Sequence, residues 1–224
     1  MGEAIGSVLP MAVGVALSPI PIIAVILMLV TKQARVNGPM FVLGWLIGLA
    51  VIGVIVIGIL GGVGSASGDT ATWALWLELV LGVLLLVVAA RQFGARPHDG
   101  ETAPTPPWMG AIDAFSPVKA LAAGALLSGL NPKNLLLAVG GAASIAASEI
   151  PTSQQAIAYL VFALIATIGV ALPVVIYFAL GDRAPAILDR MKAWMGQHNA
   201  VIMTILCLII GVKLIGQAFG GLTA

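Results

Sequence analysis

The stretch Ser128-Gly129-Leu130-Asn131-Pro132-Lys133 places a proline, an amide and an ammonium in the middle of an apolar segment, residues 116–147. Proline removes a backbone donor and clashes with the carbonyl of the preceding turn, so a helix through this stretch must break near Asn131. The stretch Leu17-Ser18-Pro19-Ile20-Pro21 interrupts the first apolar segment, residues 5–30, in the same way. The sequence therefore predicts two broken helices, each interrupted halfway along a segment that is long enough to cross a membrane.

The composition of the whole chain agrees with a membrane protein. Of its 224 residues, 60% are hydrophobic and only 8% are charged, and the mean hydropathy is +1.12. Soluble domains carry about 25% charged residues, so lipid must be the main solvent of this chain. Four further apolar segments lie at about 39–60, 73–90, 156–180 and 200–219. We therefore expect an all-α integral membrane protein of six transmembrane helices, in which helices 1 and 4 are broken at mid-membrane.

The links between these segments are short. Asn37-Gly38-Pro39 is typical of a turn with proline at the start of the second helix, and residues 182–197 are a polar, amphipathic connector. The proline-rich segment 96–115 is too short for a domain. The chain thus divides into a first three-helix repeat at 1–95, a cytoplasmic loop at 96–115 and a second three-helix repeat at 116–224.

Orientation follows from the basic residues. Of the ten Lys and Arg residues, all but Lys133 and Lys213 lie in or beside the links after helices 1, 3 and 5. The links after helices 2 and 4 contain Asp69 and Glu149 and no basic residue. This bias predicts a plasma-membrane protein with both termini outside the cytoplasm. Because no basic residue precedes the first apolar segment, we expect the first helix to remain in the mature protein.

The two halves also resemble each other. Aligning Ser18 with Ser128 brings Gly14 opposite Gly124 and Pro21 opposite Asn131. Since each half has three spans, the second half enters the membrane from the opposite side, which predicts an inverted repeat. Backbone groups freed at mid-membrane are tolerated where they are buried in protein or line a wet cavity.

Two facing breaks would therefore enclose a polar pocket, in which helix amino termini and Lys133 favour a carboxylate, sulfate or phosphate group. Two alternatives stay open, namely that the prolines only kink the helices for packing and that the Lys133 side chain reaches an interface. The predicted substrate-binding residues are Ser18, Pro19, Pro21, Ser128, Asn131, Pro132 and Lys133.

Two more charged residues fall inside apolar segments. Lys213 lies deep in the sixth, and Glu78 lies near the outer end of the third. Charged side chains inside a membrane are costly and usually functional, so we predict that Glu78 and Lys213 form an ion pair or take part in coupling. The alternative for Glu78 is an interfacial carboxylate beside Trp73 and Trp76.

The two breaker stretches, with Gly38, Gly44 and Gly48 after the first, resemble the proline-rich helix 1, the glycine-spaced helix 2 and the Asn-Pro-Lys motif of the lysine-exporter superfamily. Amino-acid exporters of that type usually carry Pro-Gly-Pro, whereas this chain has Pro19-Ile20-Pro21. Residues 16–48 are more similar to the peptidoglycolipid-addressing-protein branch, which is associated with moving glycolipids to the mycobacterial surface. The resemblance implies a lipid-linked or amphipathic substrate.

We therefore expect an exporter of a glycolipid or another amphipathic anion. The alternatives are an exporter of small amino acids or organic ions, and an accessory subunit of a larger lipid exporter. Glycine pairs at four-residue spacing, Gly44/Gly48 and Gly58/Gly62, are typical of close helix contacts and are candidates for a homodimer interface. No enzyme motif is present, so we expect no enzymatic activity, no cofactor, no metal and no nucleic-acid partner.

Overall fold

The computed structural model describes residues 1–64, 70–96, 115–148 and 150–223. This part of the chain is helical, and no strand occurs in it. Its eight α-helices are α1 (Gly2–Ala16), α2 (Pro19–Met28), α3 (Ala34–Gly64), α4 (Thr70–Gly94), α5 (Pro117–Gly129), α6 (Pro132–Ala147), α7 (Thr152–Leu180) and α8 (Ala184–Leu222).

The first predicted break lies between α1 and α2, which meet at a bend of 51°. Ser18 has an extended backbone and precedes Pro19, the first residue of α2. Proline suits this position because its missing N–H would have no partner inside the helix. The break is therefore a stop and a new start, and not only a kink in a continuous helix.

The second break has the same design. Helix α5 ends at Gly129, Asn131 has an extended backbone, and Pro132 begins α6. The two breaks thus correspond at Ser18-Pro19 and Asn131-Pro132. The sequence alignment that paired Ser18 with Ser128 and Pro21 with Asn131 is wrong by three positions, because it followed residue identity and not the position of the caps.

The predicted turn at Asn37-Gly38-Pro39 is also wrong, since α3 begins at Ala34 and contains all three residues. Tertiary contacts hold this first part of the helix. The Asn37 side-chain amide donates to the carbonyl of Phe115 at 2.8 Å, and Gly38 packs so closely on Leu29 that a Cβ would lie 2.7 Å from its side chain. These contacts outweigh the local tendency of Asn-Gly-Pro to form a turn.

The polar segment 182–197 does not separate two elements, because its greater part is the first third of α8. A short 3₁₀ turn, Gly181–Arg183, joins α7 to α8, and Gly181 has a φ of 49°, a backbone conformation that favours glycine. Pro173 lies inside α7 without ending it. Most of the predicted loop at 96–115, together with Asp69, His98 and Glu149, lies outside the described residues.

The chain is a membrane protein by the length and apolarity of its helices. Within the described ranges, three stretches are long and apolar enough to cross a bilayer, namely Ala34–Leu60, Thr72–Gly94 and the run Thr152–Leu222 that contains α7 and α8. Helices α1 and α2 qualify as a fourth if the bent pair counts as one span, and α5 is apolar but short.

Glycines allow the helices to approach closely at three crossings. A Cβ on Gly44 or Gly124 would collide with backbone at the α3–α5 crossing, and one on Gly169 would collide with the carbonyl of Ala16 where α7 crosses α1. Helix α4 crosses α8 at two facing glycines. A Cβ on Gly82 would lie 2.9 Å from the carbonyl oxygen of Gly211, and a Cβ on Gly211 would lie 3.0 Å from the carbonyl oxygen of Gly82. The core therefore packs backbone against backbone, as small residues permit in membrane helices.

Candidate functional site

Lys133 lies where the two breaks meet. It is the second residue of α6, only 1% of its surface is exposed, and its Nζ donates to the carbonyl oxygen of Gly14 at 2.6 Å. Gly14 belongs to the last turn of α1, whose carbonyls lack partners within their own helix. The ammonium thus satisfies the broken end of α1 and also favours the negative end of that helix dipole.

A second bond joins the same breaks. The Ser18 hydroxyl donates to Oδ1 of Asn134 at 2.6 Å, and Nδ2 of Asn134 donates to the carbonyl of Leu127, near the end of α5, at 3.3 Å. We refer to Gly14, Ser18, Lys133 and Asn134 as the break cluster. In this cluster, side chains that begin α2 and α6 bond one another and the carbonyls that α1 and α5 leave free.

The new helix starts present few backbone donors. Pro19 and Pro21 remove two N–H groups from the first turn of α2, and the amide of Ile22 already donates to the carbonyl of Ser18. In α6, Pro132 removes a third backbone N–H group. The backbone amide of Lys133 is also occupied, because it donates to the side-chain oxygen of Asn131 at 3.2 Å. The predicted anion site at the helix amino termini is consequently poor in amides, and the Lys133 ammonium is its main donor.

The break cluster is enclosed by protein in this conformation. Ser18 and Lys133 are each 1% exposed, and Asn134 is fully buried. Since a buried ammonium is stable only with partners or water, it matters that its one carbonyl bond leaves two of its three N–H groups available. Among the described residues, no carboxylate lies within ion-pair distance of Lys133.

The predicted site residues do not all join this cluster. Ser128 is buried, but its hydroxyl donates to the carbonyl of Ala125 in its own helix at 3.0 Å, and its side chain faces Gly48 of α3. Pro132 is exposed. Pro19 and Pro21 are buried in the start of α2, where they shape the break without offering a polar group.

Glu78 and Lys213 lie away from the breaks, toward the amino terminus of α1. Lys213 Nζ donates to the carbonyl of Ser7 at 2.6 Å, and Oε1 of Glu78 accepts from the Ser144 hydroxyl at 2.6 Å. The predicted ion pair is therefore not formed at 4 Å or less, because each charge has found a different partner. A role of either residue in coupling stays a prediction.

The glycine pairs predicted for a homodimer have different surroundings. Gly44 and Gly48 face Leu121 and Ala125 of α5, so this pair is occupied by a contact within the chain. Gly58 has no atom within 4 Å of where its Cβ would be. The surroundings of Gly62 lie outside the described residues.

Sequence reasoning missed two residues that matter. Asn134 extends the polar run Asn131-Pro132-Lys133 by one position, and its amide on an apolar helix was a detectable signal. Ser144, which bonds Glu78, gave no such signal because the two lie far apart in the chain. Within the described ranges, no group of three or more His, Cys, Asp or Glu side chains is placed to hold a metal ion.

Comparison with known proteins identifies a family. The model of a family described as Sap, sulfolipid-1-addressing protein, matches residues 8–220 of this chain. No curated protein and no solved structure matches it. The matched region covers both breaks and all residues of the break cluster.

Proposed function

The chain belongs to the sulfolipid-1-addressing protein family, and from this premise we propose that it is a transporter of an anionic, amphipathic lipid. The family description associates its members with a sulfolipid, which carries an anionic group. In this proposal the anionic group passes the break cluster on its way to the cell envelope. Alternating separation of the two breaks opens the path.

The buried ammonium of Lys133 is the observation that supports this proposal most. An ionised lysine inside a membrane costs roughly 3 kcal/mol or more, and its single bond to the Gly14 carbonyl does not neutralise the charge. A sulfate or phosphate group beside it would neutralise the charge and accept from its two remaining N–H groups. The break cluster thus lacks a negative group to compensate the charge of Lys133, and a bound anion supplies that group.

We propose that six spans cross the membrane, with α1 and α2 forming one and α5 and α6 another, in two inverted three-helix sets. The packing supports this arrangement. The contact of α3 with α5 corresponds to that of α7 with α1, and the contact of α4 with α6 corresponds to that of α8 with α2. In addition, Gly82 of α4 and Gly211 of α8 face each other. Such paired contacts are expected when one half repeats the other around a two-fold axis.

Location and kinship complete the proposal. The basic residues of the links support a plasma-membrane protein with both termini extracytoplasmic. The broken helices, each begun by proline, support membership of the lysine-exporter superfamily, in which small organic ions are alternative substrates. An accessory role beside a larger lipid exporter is the competing function.

The test is flux in vesicles that contain the purified protein. We expect a sulfated glycolipid to cross the bilayer faster than in protein-free vesicles, and Lys133→Met to reduce that rate by at least about ten-fold, the loss of one charge-assisted bond. The control Lys192→Met removes a partly exposed lysine that pairs with Asp189 in the first part of α8. It should leave the rate unchanged.

Two results would redirect the proposal. Efflux of free amino acids without lipid movement would favour the small-ion exporter. Absence of any flux from purified protein, with Lys133→Met still abolishing lipid export in cells, would favour the accessory role.

A further inference from the structure

A cavity of about 810 Å³ with a partly polar wall lies at the end of the molecule where α1 and α4 begin and α6 and α8 end. Its volume is within the range of small-molecule binding sites, and it does not include any residue of the break cluster. The polar residues that line it are Glu3, Ser7, Glu78, Ser144, Ser148 and Gln217.

The serine hydroxyls of this cavity have already committed their hydrogens. Ser7 donates to the carbonyl of Ala4 at 2.9 Å, Ser144 donates to Glu78, and Ser148 donates to the carbonyl of Ile145 at 2.5 Å. A hydroxyl has one hydrogen. The three serine oxygens are thus available to a ligand only as acceptors.

The charged groups add to this bias. Glu78 is 8% exposed, and among the described residues its carboxylate has only the bond from Ser144, so one oxygen has no protein partner. Glu3 contributes a second carboxylate. Met1, which carries the amino-terminal ammonium, also lines the cavity. Lys213 bonds the carbonyl of Ser7 and offsets part of the negative charge of Glu78 without lining the cavity.

We infer that this cavity is a second binding site, and that its ligand is a neutral group rich in hydroxyls, such as a sugar. A polyhydroxyl ring brings many donors for the carboxylate and serine oxygens, and its C–H faces suit the apolar remainder of the wall. An anion would meet two carboxylates. A cation is less well matched because Lys213 already lies beside Glu78.

The position of the cavity relates it to the break cluster. Lys213 and Lys133 bond the carbonyls of Ser7 and Gly14, which lie two turns apart on one face of α1, about 10 Å along the helix. A sugar in the cavity and an anionic group at Lys133 are therefore within reach of one substrate molecule. Binding of a sugar does not depend on transport, but its being part of the transported lipid rests on the proposed function.

The experiment measures binding without transport. Saturation-transfer NMR on the full chain, in a detergent without a sugar headgroup, compares sucrose, tetramethylammonium and methyl sulfate. We expect transfer to sucrose, weakened about ten-fold in Glu78→Gln, since a charged acceptor becomes a neutral one. Ala147→Leu, which fills the cavity without changing its charge, should also weaken it, and Asp182→Asn at the far end of the molecule should not.

The inference is overturned if sucrose shows no transfer, if Glu78→Gln and Ala147→Leu both bind sucrose as the wild type does, or if tetramethylammonium or methyl sulfate binds better than sucrose. These failures are separate from that of the proposed function. Lipid flux without sucrose binding would remove only the cavity site, and sucrose binding without flux would remove only the transport proposal.

Discussion

At the scale of the residue, Lys133 is notable for the partner that it lacks. Its ammonium is buried beside the end of α1 and bonds one backbone carbonyl. If the lysine served only the fold, an apolar side chain of similar length would fill the same space without the cost of a buried charge. A ligand, and not stability, accounts for a charge at this position.

This reasoning predicts the stability of two variants. Lys133→Met should melt close to the temperature of the wild type, because the gain from removing the desolvated charge offsets the loss of the donor to the Gly14 carbonyl. Lys133→Arg should melt lower, since the larger guanidinium must fit into a site that is 1% exposed. Thermal unfolding in detergent measures both.

A clear loss of melting temperature in Lys133→Met would contradict the prediction and assign the lysine a structural role. Ser18→Ala is a useful comparison within the same cluster. It leaves Oδ1 of Asn134 without its donor, and an unsatisfied buried acceptor costs about 1–3 kcal/mol.

The sequence predicted part of this site. Ser18 and Lys133 belong to the same polar cluster because proline and cap residues determine where helices break, and that is local chemistry. Ser128 does not belong to it, because a serine inside a helix often bonds its own preceding turn, and sequence identity between the halves cannot reveal this. The hydrogen bonds of Glu78 with Ser144 and of Lys213 with the Ser7 carbonyl were not predicted for a related reason, since these partners lie far apart in the sequence.

At the scale of the element, the close approach of α3 to α5 depends on glycine. A Cβ on Gly44 would overlap the carbonyl of Leu121, which is backbone and cannot move aside alone. Gly58 lies on the same helix and has open space around it. Comparing Gly44 with Gly58 therefore distinguishes the close packing that glycine permits from the helix stability that glycine costs.

We predict opposite effects for the two alanine variants. Gly44→Ala should lower the free energy of unfolding by about 1–3 kcal/mol, the usual cost of overpacking. Gly58→Ala should raise it by up to about 1 kcal/mol, because alanine favours the helix. Equal effects in an unfolding titration would show that α3 and α5 do not meet at Gly44.

Element boundaries were the least predictable part of the fold. Apolar runs located most helices, and the prolines located both breaks. The start of α3 was not predicted, because the contacts of Asn37 with Phe115 and of Gly38 with Leu29 outweigh local turn preference. The continuity of α8 through its polar first third was not predicted either. Such contacts are properties of the assembled chain.

At the scale of the whole molecule, the six-span proposal predicts which links face outward. In a Cys207→Ala background, Ser153→Cys and Thr223→Cys should react with an impermeant maleimide applied to intact cells. Gln33→Cys and Asp182→Cys should react only after the membrane is opened. Labelling of all four from outside, or the reverse pattern, would refute the topology with both termini outside.

The central claim is that transport requires the two breaks to separate, and a disulfide across them tests it most directly. The Ser18 and Asn134 side chains are in contact, so Ser18→Cys with Asn134→Cys, in the Cys207→Ala background, should form a bridge between α2 and α6. The two single-cysteine variants should both transport, which is the control. In the double-cysteine variant, flux of a sulfated glycolipid should stop when the bridge forms and return when it is reduced. Undiminished flux through the oxidised, fully bridged protein would contradict the account.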